Sequence, residues 1–113
     1  MSTVFVTQEN PRLNYSDAER YGEVVFVNVD EYSPNANSIR NQNILDNIDR
    51  LMRQYDPTTD YLLLSGDPVS MLLTFNTAAE IARNSFELDS LRLLKWDGQN
   101  RSYNPIEIPI QVN

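Results

Sequence analysis

The sequence predicts an α/β fold: one domain over residues 1–113, with a mostly parallel sheet of four to five strands. Two long helices and one short helix accompany the sheet, and a C-terminal antiparallel hairpin closes it. Three observations predict this. Strand-like and helix-like periodicities alternate along the chain, the pattern of right-handed crossovers between parallel strands. The inner strand candidates are nearly continuous apolar runs, as strands covered on both faces are. A turn signal, Asp97-Gly98, joins the last two strand candidates. An α+β sheet carrying both long helices on one face is the alternative arrangement, and strand order is left open.

Val4-Phe5-Val6-Thr7 is a β-branched and aromatic run that stops at Gln8-Glu9-Asn10-Pro11. Ser16-Asp17-Ala18-Glu19 has the spacing of a capping box, so a helix of one or two turns is expected, ending at Tyr21-Gly22. Val24 to Val29 is the strongest strand signal and reads as buried on both faces. Asp30 to Asn37 is a polar loop. Asn37 or Ser38 caps the next helix, expected over 38–55. There Ile44, Leu45, Ile48, Leu51, Met52 and Tyr55 form one apolar stripe opposite a polar face that includes Asn41 and Asn47. Asp56-Pro57 stops it.

Tyr61-Leu62-Leu63-Leu64 is the next buried strand. Asp67 as cap and Pro68 at the first helical position start a helix over 68–84 that is apolar around most of its circumference. Such a helix is either buried against the sheet or offered to a partner. Leu91 to Trp96 is a strand. Tyr103 to Ile110 alternates with period two, and its two prolines place it at an edge.

Composition narrows the chemistry. Leu, Ile, Val and Phe make up 31 of 113 residues, above the roughly 20% below which chains stay disordered. The chain has no Cys and no His. This removes disulfides, thiolate and imidazole metal sites, the Ser-His-Asp triad and the usual general base near pH 7. The formal net charge is −7, and no two of the nine basic residues are adjacent. Binding to nucleic acid or to an anionic membrane is therefore not expected. Net negative charge keeps a small protein soluble, and it also suits a mimic of nucleic acid that fills a basic cleft. No apolar run approaches the roughly 20 residues of a membrane span. Met1 to Val6 has no basic leader, so the cytoplasm is the expected compartment.

No residues combine into a catalytic set, and no metal or other cofactor is expected. Ser65-Gly66-Asp67-Pro68 is the most site-like motif, because ligands of open α/β sheets bind at strand carboxyl ends. With Gln8 and Asn28 from the ends of the first two strands, Ser65, Gly66 and Asp67 form a candidate small-molecule or nucleotide site. The phosphate-loop and dinucleotide signatures are absent, and Asp67 repels phosphate. As a turn and helix cap the motif needs no ligand. Glu9, Asp30, Glu31 and Asp67 on the same sheet edge offer oxygen ligands to Mg²⁺ or Ca²⁺, although no calcium-loop spacing is present. Otherwise they are solvated loop acids.

Tyr, Trp and Arg dominate binding hot spots. Arg12, Tyr15 and Tyr32 fall in loops, Trp96 adjoins a turn, and Met71 and Phe75 lie on the apolar helix. These six are the candidate protein-interface residues. Trp96 reads equally as a core lid or an anchor, whereas Tyr55 continues a core stripe. Self-association as a homodimer, through helix 68–84 or strand 103–110, is a further option.

Tyr61-Leu62-Leu63-Leu64-Ser65-Gly66-Asp67-Pro68, then Leu93-Leu94-Lys95-Trp96-Asp97 and Tyr103-Asn104-Pro105-Ile106, resemble segments of small accessory proteins of tailed bacteriophages. The resemblance covers about the second half of the chain. It implies a viral origin and a role inside an infected bacterium, and it brings no active site with it. The expected function is thus that of a non-catalytic, protein-binding viral accessory protein acting on a host or phage protein, as an inhibitor, a nucleic-acid mimic or an assembly scaffold. The small-molecule site and a carboxylate or metal enzyme are the other readings.

Overall fold

A computed structural model describes residues 2–110; Met1 and residues 111–113 lie outside the described residues. Five strands form one sheet: β1 (Thr3–Val6), β2 (Glu23–Phe26), β3 (Tyr61–Leu63), β4 (Ser90–Asp97) and β5 (Ser102–Pro109). A 3-10 helix (Ser16–Tyr21) links β1 to β2, α1 (Ile39–Met52) links β2 to β3, and α2 (Pro68–Phe86) links β3 to β4.

The strand order is β2-β1-β3-β4-β5. The expectation of a mostly parallel sheet is corrected, because the sheet is mixed. The parallel pairs β1–β2, β1–β3 and β3–β4 share four, three and one register positions, against eight in the antiparallel β4–β5 hairpin. Parallel neighbours reach each other only through long crossovers. The hairpin is local and zips along its whole length.

Alternation along the strands builds two cores. Phe5, Leu62, Leu91 and Leu93 face α1 and α2 with Ile44, Ile48, Met52 and Tyr55. Burial of each such side chain contributes about 1.5–3 kcal/mol. Val4, Val6, Leu63 and Leu94 face the other way, toward Tyr15 and Ala18 of the 3-10 helix region. Both long helices therefore share one face, the arrangement of the alternative. Right-handed connections require it. The chain moves outward from β1 to β2 over one face, then returns across β1 and onward to β4 over the other.

Several local expectations change. Val24 to Phe26 are only half-buried, because β2 is the edge strand; an apolar run records both-face contact but not position in the sheet. Ser16 does not cap: the 3-10 helix follows Tyr15 without a side-chain cap, and Ser16 N–H donates instead to Asn14 Oδ1 (2.9 Å). Gly22 is near-extended, not left-handed helical; a Cβ there would collide with the Ser2 carbonyl. Helix α1 starts with the expected Ser38 cap and stops at Met52, three residues early. Asn41, assigned to the solvated face, is buried. Its amide bonds Ser33 N–H and the carbonyls of Ser33 and Asn35, holding the loop before the helix.

Asp67 caps α2 with Pro68 at its start, as read from the motif. The face of α2 turned to the sheet is a stripe of small residues, Ser70, Thr74, Ala78 and Ala82. Thr74 Oγ1 donates to the Ser70 carbonyl (2.8 Å), so no hydroxyl there is left dry. This small stripe moves Met71 and Phe75 to the flank of the helix, half-buried, and leaves Leu72 60% exposed.

Strand β5 is protected against pairing with another chain. Its outward backbone at Tyr103 is sealed by the 3-10 helix. The N–H donates to Asp17 Oδ2 (2.6 Å), and the carbonyl accepts from Arg20 Nη2 and Tyr21 Oη (both 2.8 Å). Pro105 and Pro109 share the strand parity of Tyr103, so their missing N–H groups fall on the same outer side.

Candidate functional site

Strands β1 and β3 are neighbours whose chains leave in opposite directions, which is where open α/β sheets place ligands. Their carboxyl ends bring Gln8 together with Ser65, Gly66 and Asp67, with Asn28 beside Gln8. Thr7 Oγ1 donates to the Ser65 carbonyl (2.6 Å) and accepts from Ser65 N–H (2.9 Å). Gln8 Oε1 accepts from Asp67 N–H, and Gln8 Nε2 donates to the Val29 carbonyl (3.3 Å). Gly66 has φ 83°, and a Cβ there would strike the Gln8 side chain, so the crossing requires glycine.

Ser65 Oγ lies 2.7 Å from Tyr15 Oη, which also accepts from Asn10 N–H (2.8 Å). Asp67 accepts from Val69 N–H, Ser70 Oγ and Tyr32 N–H. Asn28 accepts from Asn47 Nδ2 (3.0 Å) and donates to the Ile44 carbonyl (3.4 Å). Every side chain of the candidate ligand set is thus engaged within the protein, and Gln8, Asn28 and Ser65 are buried. The cluster ties loops to the sheet. Thr7, Asn47 and Tyr15 complete it. The sequence signal for them is faint: a polar residue at the end of an apolar strand and an Asn pair across a helix. Glu9, Asp30 and Glu31 lie on the partly or fully exposed loops beside it. Among the described residues no three acids come together as a metal-binding group.

An open groove of about 1020 Å³ adjoins this crossing. It exists because β3 ends at Leu63 and turns into α2, whereas β4 runs on to Asp97. The two strands share only the Leu62–Leu93 register. The gap is lined by Leu63 and Leu94 from the 3-10-helix face of the sheet and by Ile106, Met71 and Phe75 from the α1–α2 face, with Leu13 and Trp96 exposed beside it. Trp96 is 46% exposed and packs edge-on against Tyr103, with ring centroids 4.9 Å apart. Among the described residues, four of the ten large apolar residues left exposed line this one groove: Leu13, Leu64, Trp96 and Ile106.

Four of the six candidate interface residues meet here: Arg12, Met71, Phe75 and Trp96. The other two do not. Tyr15 is 8% exposed, with its ring against Phe26 and its hydroxyl on Ser65. Tyr32 is half-buried against the helix-side core. Lys95 and Arg101, which sequence reasoning did not single out, join the rim because the hairpin folds them alongside Trp96.

Two ionisable groups stand out elsewhere. The Tyr55 phenol is buried without a hydrogen-bond partner. Burial, reinforced by Asp60, pushes its pKa well above the ordinary value, although Arg92 opposes the shift. The Asp97 carboxylate accepts from the Asn100 side chain (2.7 Å) and from the N–H groups of Asn100 and Gln99, which hold its pKa below the usual range.

A family model described as Phage Pam3 gp32-like protein matches residues 2–110. The chain belongs to this family. The bacteriophage resemblance seen in the second half therefore extends over all of the described residues, and the protein is a phage protein. No curated protein and no solved structure matches it. Among the described residues no helix is long and apolar enough to cross a membrane.

Proposed function

We propose that this phage protein is a non-catalytic binding module that docks a segment of another protein, from host or phage, in the groove between β3 and the β4–β5 hairpin. One observation carries the reading. Arg12, Met71, Phe75 and Trp96, residues of the types that anchor interfaces, line the groove together with the exposed Leu13, Leu64 and Ile106. The small-molecule reading is weaker, because the polar groups at the strand ends are bonded to one another. Charge mimicry of nucleic acid is also disfavoured. The groove is cationic, and at the α1 end the exposed Asp46 and Asp49 each lie one turn before an Arg, Arg50 and Arg53.

The test is affinity capture from phage-infected cells with the wild-type chain, with Leu13→Asp/Lys95→Glu and with Ile39→Asp. Ile39 is 79% exposed and lies outside the groove lining. Thermal melts of all three proteins establish that they fold. Loss of a captured protein with the groove double variant, and its retention with Ile39→Asp, supports the reading. Equal capture by all three contradicts it.

A further inference from the structure

The charges around the groove run against those of the chain. The sequence has nine basic and sixteen acidic residues, yet the lining holds Arg12, Lys95 and Arg101 and a single acid, Asp17. The Asp17 carboxylate is already engaged by Arg20 Nε (3.3 Å) and by Tyr103 N–H. Arg12, Lys95 and Arg101 are exposed, and none forms an ion pair with a described residue. An acidic protein has thus gathered three uncompensated cations around an apolar trough.

We infer that the groove recognises an acidic, extended segment of a partner protein. Its apolar side chains lie on the exposed Leu13, Trp96 and Ile106, and its carboxylates reach Arg12, Lys95 and Arg101. The inference rests on the docking reading above and adds the chemistry of the partner. Complementary rim charges steer encounter and select partners more than they add affinity, while the exposed apolar side chains anchor. A second copy of this chain fits poorly, since an isologous contact through the groove sets its three cations against their own copies. Nucleic acid also fits poorly. Single strands stack successive bases on several aromatic faces, whereas Trp96 is the one exposed aromatic ring of the lining, with Phe75 half-buried and Tyr103 buried beneath Trp96.

The test is selection of a random peptide display library on the immobilised full chain and on the Lys95→Glu/Arg101→Glu variant. Both substituted residues are exposed. Trp96, the only Trp in the chain, reports titration of selected peptides by its emission. Peptides combining Asp or Glu with Leu, Ile or Phe are expected from the wild type. Their binding should shift Trp96 emission to the blue, weaken with added salt, and be about tenfold weaker with the variant, since two rim charges are reversed. Neutral or basic peptides, or acidic peptides that bind both proteins equally, overturn the inference. So does a Trp96 response to an oligothymidylate of about twelve nucleotides without one to any peptide. Failure here leaves the capture experiment standing. If capture is indifferent to the groove, the docking reading itself falls.

Discussion

Tyr15 and Ser65 meet through their hydroxyl groups at 2.7 Å, fifty positions apart in the chain. The contact joins the loop after β1 to the end of β3 and occupies the one hydroxyl that a ligand at the strand ends would first use. It also fixes Arg12 and Leu13, three and two residues before Tyr15, on the near wall of the groove. Replacing Tyr15 by Phe leaves Ser65 Oγ and Asn10 N–H without this partner. The expected cost is about 1–3 kcal/mol, because buried polar groups lose hydrogen bonds. Chemical denaturation measures it, and an unchanged midpoint contradicts the assignment.

Gly66→Ala tests the same crossing from its other side. The added Cβ meets the Gln8 side chain at a positive φ. A loss of about 1–3 kcal/mol is expected from backbone strain and displacement of Gln8. Retained stability in a thermal melt shows that the β1–β3 crossing is looser than described.

Tyr55 governs the alkaline limit. Its folded-state pKa is raised above the unfolded value of about 10 by burial and by Asp60. Its contribution to stability is therefore fully present below pH 10 and is lost as pH rises beyond it. The hydroxyl has no partner, so Tyr55→Phe removes a dry polar group and keeps the edge-on contact with Phe5 (5.8 Å). Equal or higher stability at neutral pH is expected, by up to about 1–3 kcal/mol, together with a higher midpoint of alkaline unfolding. A clear loss at neutral pH shows that the hydroxyl is bonded after all.

Asp97 has the opposite sign. Its folded-state pKa lies below the ordinary carboxylate value because Asn100 and Gln99 donate to it. The stability it lends the hairpin is present at neutral pH and is lost as pH falls through that lowered value. Protection of the Gln99 and Asn100 amides relative to their intrinsic exchange rates should fall in strong acid before the core opens. Exchange that follows global unfolding at every pH contradicts a local role.

Much of the fold was legible because local chemistry determined it. Asp67-Pro68 started α2 where a cap and a fixed φ demanded it, and Ile44, Ile48 and Met52 of the apolar stripe located the buried side of α1, although Leu45 of the same stripe is exposed and Tyr55 lies past the helix end. What could not be read depended on neighbours. The run Val24 to Val29 read as buried on both faces, yet Val24 to Phe26 lie half-buried in an edge strand, since hydrophobicity does not record strand order. Ser16 offered a capping box that the tighter 3-10 turn did not use. Ser65 looked like a ligand-binding group until Tyr15 reached it. The cationic rim was hidden because Arg12 is distant in sequence from Lys95 and Arg101, and only the divergence of β3 from β4 assembles them.

The most direct test replaces Trp96 with a photo-crosslinking phenylalanine analogue, and Ile39 with the same group as a control, in cells infected with the phage. Position 96 stands in the groove; position 39 is more exposed and lies outside its lining. The account predicts a discrete protein adduct from position 96 and none from position 39. Equal adducts from both positions, or an adduct from position 39 alone, contradict the groove as the docking site.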